Sequence, residues 1–449
     1  MTTAERLEAG GSMRDVARRA VDTALARGAQ GATAGASRSR HVSVSWRDGR
    51  LERVSEATTR ALGLELYVDG RYGSVATSDL RPDAIDRFIE DAIAMTRALT
   101  PDPYRQLPDP ALYQGQSDVD LQMEDPAYRT LDAARRRDLA QAAEAGARSV
   151  KGAEAILSVT TSFGDSQVEG WRIHSNGFEG SRRATDFWLG AEVSVKDPDG
   201  RRPEDWDAGG GRHLSALPAP EDVGRGATQR ALSRIGSTKG DSAVVTMAVE
   251  NRAASRLVGF LLAPLSASAL QQKRSYLDGK LGKPVTSALL DLADDPLVPR
   301  GLGSRRFDGE GIAAKRLPLF EGGVLRNYYV DTYYGRKLGM APTTRGMSNL
   351  DWRYGSEPLD ALLARIGEGI FVTGFLGGNS NGTTGDFSLG AQGFRIRGGK
   401  LAEPVGEMNV SGNHLELWPR LVAVGDDPYP YSASRVPTLV FENVQFAGL

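Results

Sequence analysis

Gly378-Asn379-Ser380-Asn381-Gly382 has the G-x-S-x-G spacing of a nucleophile elbow, where a strained strand-to-helix turn exposes a serine hydroxyl. On that reading Ser380 attacks an acyl group, His414 takes its proton, and Asp386 orients the imidazole, with Glu407 as another available acid. The elbow requires a helix after the serine. Thr383-Thr384-Gly385-Asp386 and a glycine-rich run to Gly399 follow instead. Such a short pattern arises readily in a chain with 53 glycines, and a triad can be collected from any sequence because its members need no fixed spacing. A structural β loop at Ser380 and an exposed or hydrogen-bonded structural histidine at His414 are therefore preferred.

Metal chemistry is harder still to assemble. The four histidines, His41, His174, His213 and His414, lie far apart, and cysteine is absent. Zinc takes three or four His, Cys, Asp or Glu ligands, typically with two a helical turn apart or in a C-x-x-C knuckle. No such pair exists, so no metal ligand is assigned. Carboxylates alone could hold magnesium or calcium, but neither an EF-hand loop nor a phosphate loop organises them. The stretch 374–399 lacks the Gly-Lys-Ser/Thr ending and following helix of a phosphate cradle. Its glycines read as tight turns or close backbone approach, and no cofactor is assigned.

Tyr328, Tyr329, Tyr333, Tyr334 and Trp352 cluster near Arg326, Arg336 and Arg345. Flat side chains with polar tips can stack bases or anchor a protein. Lysine plus arginine (55) nearly balances aspartate plus glutamate (57), a net charge of −2, so protein contact or core packing is preferred over nucleic acid. Composition is ordinary for a folded protein, at 40% hydrophobic and 25% charged, and 449 residues suggest two or three domains. Arg14, Arg18 and Arg19 are spread through a polar, alanine-rich Met1 to Gly28 stretch, unlike a secretory signal. No apolar run approaches the roughly 18 residues of a membrane span, and a cytoplasmic location is expected, without disulfides.

The elements that must position these residues are legible in part. Ser12 with Asp15 forms a capping-box start, Met13 to Leu25 keep helical spacing, and Gly28 stops the helix. Alternating apolar residues lead to Asp48-Gly49 and Asp69-Gly70, two hairpin signals. A helix starts near Pro82 with Ile85, Phe88, Ile89, Ala92 and Leu99 on one face. Pro101 to Gln116 reads as a surface crossing, Leu131 to Val150 as a helix, and 156–161, 167–175 and 184–195 as strands. Asp197 to Gly211 reads as a loop, and Pro218 to Ile235 as a helix. Asn251 to Arg274 reads as a buried helix that Pro264 interrupts, and its small residues make a subunit interface the alternative. After Gly236 glycine becomes dense and helices rare. The expected fold is α+β, divided as 1–100 (helix with antiparallel sheet), 101–236 (a middle α+β segment) and 237–449 (mainly β, barrel-like or sandwich-like).

Several segments together resemble the TldD/PmbA family, also called the modulator of DNA gyrase family, in its PmbA or TldE-like branch. They are Trp46-Arg47-Asp48-Gly49, Gly63 to Leu80, Leu302-Gly303-Ser304, Phe307-Asp308-Gly309-Glu310-Gly311, Gly323-Val324-Leu325 and Tyr334-Gly335-Arg336-Lys337-Leu338-Gly339. Thr384-Gly385-Asp386-Phe387-Ser388, Pro404-Val405, Ser411-Gly412-Asn413 and Val424-Gly425 continue the series in the family's order. The resemblance implies pairing with a related TldD-type subunit in a zinc-dependent peptidase that admits unfolded or extended peptides, including leader segments. In that subunit the zinc lies on a helix bearing His-Glu-x-x-x-His, with a later cysteine. Here the matching helix, near Glu250 to Gly259, has no histidine, and no cysteine follows.

The expected role is a non-catalytic, TldE-like subunit of a heteromeric metallopeptidase. Its partner holds the zinc, and this chain holds no cofactor. One alternative is an independent serine hydrolase using Ser380; the other is a homodimeric peptide-binding protein. Neither nucleic acid nor membrane is expected as a partner.

Overall fold

The computed structural model describes residues 12–448; the beginning of the polar N-terminal stretch, residues 1–11, lies outside the described residues. Ser12 caps α1 (Met13–Ala26) in a reciprocal box with Asp15, and Val16, Ala17, Ala20, Val21 and Ala24 form its buried stripe. β1 (Gly31–Arg47) turns at Asp48-Gly49 into β2 (Arg50–Val68), which turns at Asp69-Gly70 into β3 (Arg71–Thr77). These four turn residues have φ between 47° and 79°, the two-residue hairpin geometry that Asp-Gly favours. α2 (Pro82–Arg97) buries Ile85, Ile89 and Ala92; Leu99 lies beyond its end and is exposed.

α3 (Ala133–Arg148), β4 (Ile156–His174), β5 (Glu179–Val195), β6 (Glu204–Gly211) and α4 (Pro220–Ser233) follow. One antiparallel sheet takes the order β3-β2-β1-β4-β5-β6 and unites strands from either side of residue 100. Two segments depart from expectation. β4 is one strand of 19 residues, because its Thr160–His174 stretch stays in register with β1. The supposed loop 197–211 ends in β6, where Gly209 to Gly211 pair with Leu189 to Phe187. A Cβ on Gly210 would collide with the Phe187 carbonyl, so these glycines serve close strand approach rather than a turn.

Side chains alternate along a strand, which places Ala34, Ile173, Phe163, Phe187 and Leu189 on one face of the sheet. All four helices cover that face. α1 and α2 pack over Ala34, Leu64 and Ile173, and α3 and α4 pack over Val159, Phe163 and Phe187. The reverse face carries Gly35, Gly170, Arg172, Gly180 and Arg182, and no helix of the described residues covers it.

Beyond Gly236 come β7 (Thr238–Lys239), β8 (Ala243–Val249), α5 (Asn251–Leu262) and α6 (Ala267–Gln271). Pro264 separates the two helices within a single 3-10 turn, as a missing amide donor requires. β9 (Leu292–Asp294), β10 (Leu317–Glu321), β11 (Val324–Leu325) and β12 (Leu350–Trp352) form a small sheet, with α7 (Thr332–Leu338) following β11 and α8 (Leu359–Ile366) following β12. The remaining elements are β13 (Gly369–Ser380), β14 (Asp386–Arg397), β15 (Lys400–Asn413), α9 (His414–Leu417), β16 (Leu421–Val424) and β17 (Leu439–Ala447). Since β17 pairs with both β8 and β15, the strands β8, β13, β14, β15 and β17 close into a five-stranded barrel. The fold is thus α+β, with a barrel rather than a sandwich in the C-terminal region. Short helices are more frequent there than the glycine density suggested. Leu257, Val258 and Leu261 of α5 share one buried cluster with Met247, Val249, Leu389 and Phe441 of the barrel.

Most of the aromatic cluster belongs to this core. Tyr328, Tyr329 and Trp352 are buried, and their polar tips bond the Leu277 carbonyl, Asp294 and the Ser434 carbonyl. Tyr333 pins the 101–116 crossing, bonding Asp102 at 2.7 Å while the Arg105 guanidinium lies 3.5 Å over its ring.

Candidate functional site

Ser380 ends β13, and the chain returns at once as β14, so the serine sits on a strand-turn-strand hairpin with no helix after it. Gly377 and Gly378 have φ of 55° and 74° and lie at a register shift between the two strands, which is why glycine is needed there. Asn381 organises the turn, accepting from the Thr383 amide at 2.9 Å. The run 374–399 is therefore a bulged hairpin rather than an anion cradle.

The barrel register sets Asp386 opposite Asn413, and this brings the next residue, His414, to the serine. Ser380 Oγ lies 2.9 Å from His414 Nε2. The imidazole is buried, stacked on Phe387 at 4.8 Å and on Tyr276 at 5.6 Å, and burial pushes its pKa down to about 4. Its Nδ1 has no partner among the described residues. Asp386 bonds elsewhere: its carboxylate accepts from Thr384 Oγ1 at 2.6 Å and Asn413 Nδ2 at 2.9 Å, hydrogen bonds that hold it below the usual carboxylate range. Asn413 in turn caps α9 through the Leu415 amide. Two of the three proposed residues thus meet, and the acid serves the helix cap. Glu407 is exposed on β15.

The helix where the resemblance places a metal is α5. Its polar side chains Asn251, Arg252 and Arg256 stand at the spacing of the His, Glu and second His in His-Glu-x-x-x-His. Each is committed as a donor. Asn251 Nδ2 donates to the Asp427 carbonyl at 2.8 Å, and Arg256 donates to the Phe375 and Gly377 carbonyls at 3.0 and 2.6 Å. Arg252 donates to the Trp206 carbonyl while its guanidinium lies 4.0 Å over the Trp206 ring. Glu250, just before the helix, is held by Arg230. Two guanidinium groups and an amide donor do not fit a zinc ion, which requires lone pairs from neutral or anionic ligands. Among the described residues no three His, Asp or Glu side chains gather as a metal cluster. His41, His174 and His213 lie on separate elements: His174 Nδ1 is 2.9 Å from Tyr113 Oη, and His213 Nε2 is 2.8 Å from the Gln122 carbonyl.

One site escaped the sequence reading, a cleft of about 820 Å³ between the helix-free face of the sheet and the loops 120–124 and 304–309. Its arginines come from three strand or loop segments remote in sequence, so no local pattern announces it.

Comparison with known proteins gives a consistent picture. Residues 32–96 match PmbA/TldA metallopeptidase domain 1, residues 126–235 the central domain, and residues 242–448 the C-terminal domain. Metalloprotease PmbA of Escherichia coli O157:H7 is 29% identical, with 97% of each chain covered. A crystal structure of a Bacteroides thetaiotaomicron protein proposed as a modulator of DNA gyrase is 40% identical, covers 97% of this chain and 98% of its own, and superposes with a TM-score of 0.94. TldE of Thermococcus kodakarensis, at 20% identity, covers 96% of this chain and 100% of its own with a TM-score of 0.85, a likeness of fold.

Proposed function

The chain belongs to the PmbA/TldD metallopeptidase family, and from that premise we propose that it is the non-catalytic, TldE-like subunit of a heteromeric zinc metallopeptidase. The observation that carries this reading is α5, which bears no histidine and whose Asn251, Arg252 and Arg256 donate hydrogen bonds to the surrounding chain. The zinc belongs to a TldD-type partner in the cytoplasm. This chain walls off the partner's site from folded proteins and holds unfolded or leader peptides in extended form, using strand edges and pockets. Two homologous chains with one fold suit a pseudo-two-fold interface.

The test is a comparison of the isolated chain with a mixture of the chain and a TldD-type relative bearing His-Glu-x-x-x-His. The isolated chain holds no stoichiometric zinc by elemental analysis and cleaves no unfolded peptide; the mixture cleaves. Stoichiometric zinc together with turnover by the isolated chain would overturn the reading. A self-associated, peptide-binding form without any such relative is distinguished by co-purification from the native cell.

The 2.9 Å contact of Ser380 with His414 favours a second reading, a serine hydrolase. Against it stands the bare Nδ1. Buried N–H donors without partners are rare, so the preferred tautomer carries its proton on Nε2 and donates it to Ser380, leaving Nδ1 as a lone acceptor. An Nε2 that already bears a proton cannot take one from the serine. Labelling of Ser380 by a fluorophosphonate probe would favour the hydrolase.

A further inference from the structure

The floor of the cleft on the helix-free face is low at Gly35 and Gly170, whereas the Phe307 and Phe178 rings fill the space over Gly180. Gly35 of β1 lies opposite Arg172 of β4, which lies opposite Gly180 of β5, and Gly170 lies opposite Ser37 and Arg182. A Cβ on Gly35 would meet only the Arg172 guanidinium, at 3.7 Å, so the glycine leaves open space above the sheet. Arg172, Arg182, Arg183, Arg305 and Arg306 line this space. Arg172 and Arg182 make no hydrogen bond and no ion pair with any described residue, in a chain where most other arginines are paired. Arg305 bonds the Met347 carbonyl but keeps its buried Nε without a partner.

Three carboxylates line the cleft against these five guanidinium groups, of which Arg183 is paired with Glu169, so the lining keeps an excess of positive charge. Asp308 is consumed by the amides of Glu310, Ile312 and Arg345. Asp120 accepts from the Gln122 amide, and Glu124 is exposed on the facing loop. The cleft therefore holds like-charged guanidinium groups around unfilled volume, an arrangement that a carboxylate ligand relieves and a cation worsens. Its volume of about 820 Å³ is that of a ligand-sized site.

The edge of the floor adds a main-chain element. β6 begins to pair with β5 only at Phe187, so Glu179 to Asp186, paired with β4 on one side, has no strand on its other edge among the described residues, and the Met123 carbonyl takes the Thr185 amide there. An extended chain can enter past this free edge and cross the strands towards Gly170 and Gly35.

The geometry points to an acidic-peptide site in this cleft: an extended segment rich in Asp and Glu lies over Gly35 and Gly170, with its carboxylates held by Arg172 and Arg182. Only the choice of a peptide as carrier of the carboxylates rests on the proposed function. The test uses the isolated full chain, with neither partner nor metal, so its failure leaves the heteromer reading standing, and failure of that reading leaves the site standing.

Fluorescence anisotropy with a fluorescein-labelled alternating Glu-Gly dodecapeptide is the measurement, with Lys-Gly and Ser-Gly peptides and a single-stranded oligonucleotide of equal charge as comparators. The Glu-Gly peptide binds, more weakly as salt rises, and the comparators bind at least about ten-fold more weakly. Arg172→Gln with Arg182→Gln weakens binding about ten-fold or more, the loss expected when charge-assisted bonds go. Gly35→Leu fills the floor without touching charge and also abolishes binding, which keeps the proposal testable if the double variant fails to fold. Absence of Glu-Gly binding, equal binding of any comparator, or undiminished binding by the folded variants would overturn it.

Discussion

Arg230 grips Glu250 through both terminal guanidinium nitrogens, at 2.6 and 2.9 Å, and so joins α4 of the sheet layer to the residue that opens α5 of the barrel. The Glu250 amide donates to the Val372 carbonyl in β13, so one residue fastens three elements. A carboxylate at the head of this helix is thereby used for cohesion rather than for chemistry.

Glu250→Gln therefore weakens the fold. A partly buried bond between charged groups contributes about 1.5–3 kcal/mol, and the urea midpoint should fall accordingly. An unchanged midpoint would mean that the pair is as well satisfied by water.

Acid should destabilise the protein through His414 and His174. Burial pushes their pKa values down to about 4 and about 3, with Arg172 adding to the shift of His174. An unfolded histidine takes up its proton near pH 6.5, so below that pH the unfolded chain binds protons that the folded chain refuses. The stability from these residues is fully present above about pH 6.5 and is lost as pH falls towards 4 for His414 and 3 for His174. The His414 shift corresponds to something of the order of 3 kcal/mol. Denaturation midpoints at pH 7 and pH 5 measure the slope, and His414→Gln should flatten part of it; equal slopes would contradict the assignment.

Gly224→Ala should loosen the pairing of α3 and α4. A Cβ at Gly224 would strike the Ala143 carbonyl, and one at Gly146 would strike Glu221, so the two helices cross on reciprocal glycines. Overpacking of this kind costs about 1–3 kcal/mol, readable as a lower melting temperature.

Ser380→Ala separates the two enzymatic readings. In the metallopeptidase reading, the mixture with a TldD-type partner keeps its peptidase rate within about two-fold, and the fold loses about 1 kcal/mol with one hydrogen bond. Abolished turnover would favour the hydrolase.

What was legible in the sequence follows the range of each interaction. The Ser12–Asp15 box and the hairpins at Asp48-Gly49 and Asp69-Gly70 are local and appear as expected. The glycines at 209–211 read as a loop in the sequence because glycine serves both turns and close approach, and only the opposed Phe187 backbone distinguishes them. The meeting of Ser380 and His414 depends on the register of β14 against β15, and so does the diversion of Asp386 to Asn413, its cross-strand partner. The arginine cleft depends on strands and loops brought together from distant parts of the chain, and arginines in a strand pattern read as ordinary exposed positions.

Closure of the barrel by β17 also orders events in time. β8 has its neighbours in β13 and β17, and some 190 residues separate its end from the start of β17. At a synthesis rate of about 5–20 residues per second, the first barrel strand waits roughly 10–40 s for its last partner. The six-stranded sheet and its four helices are complete by Ser233 and can fold on the nascent chain during that interval. During that interval the apolar faces of β8 and α5 lack the barrel strands that bury them in the finished fold.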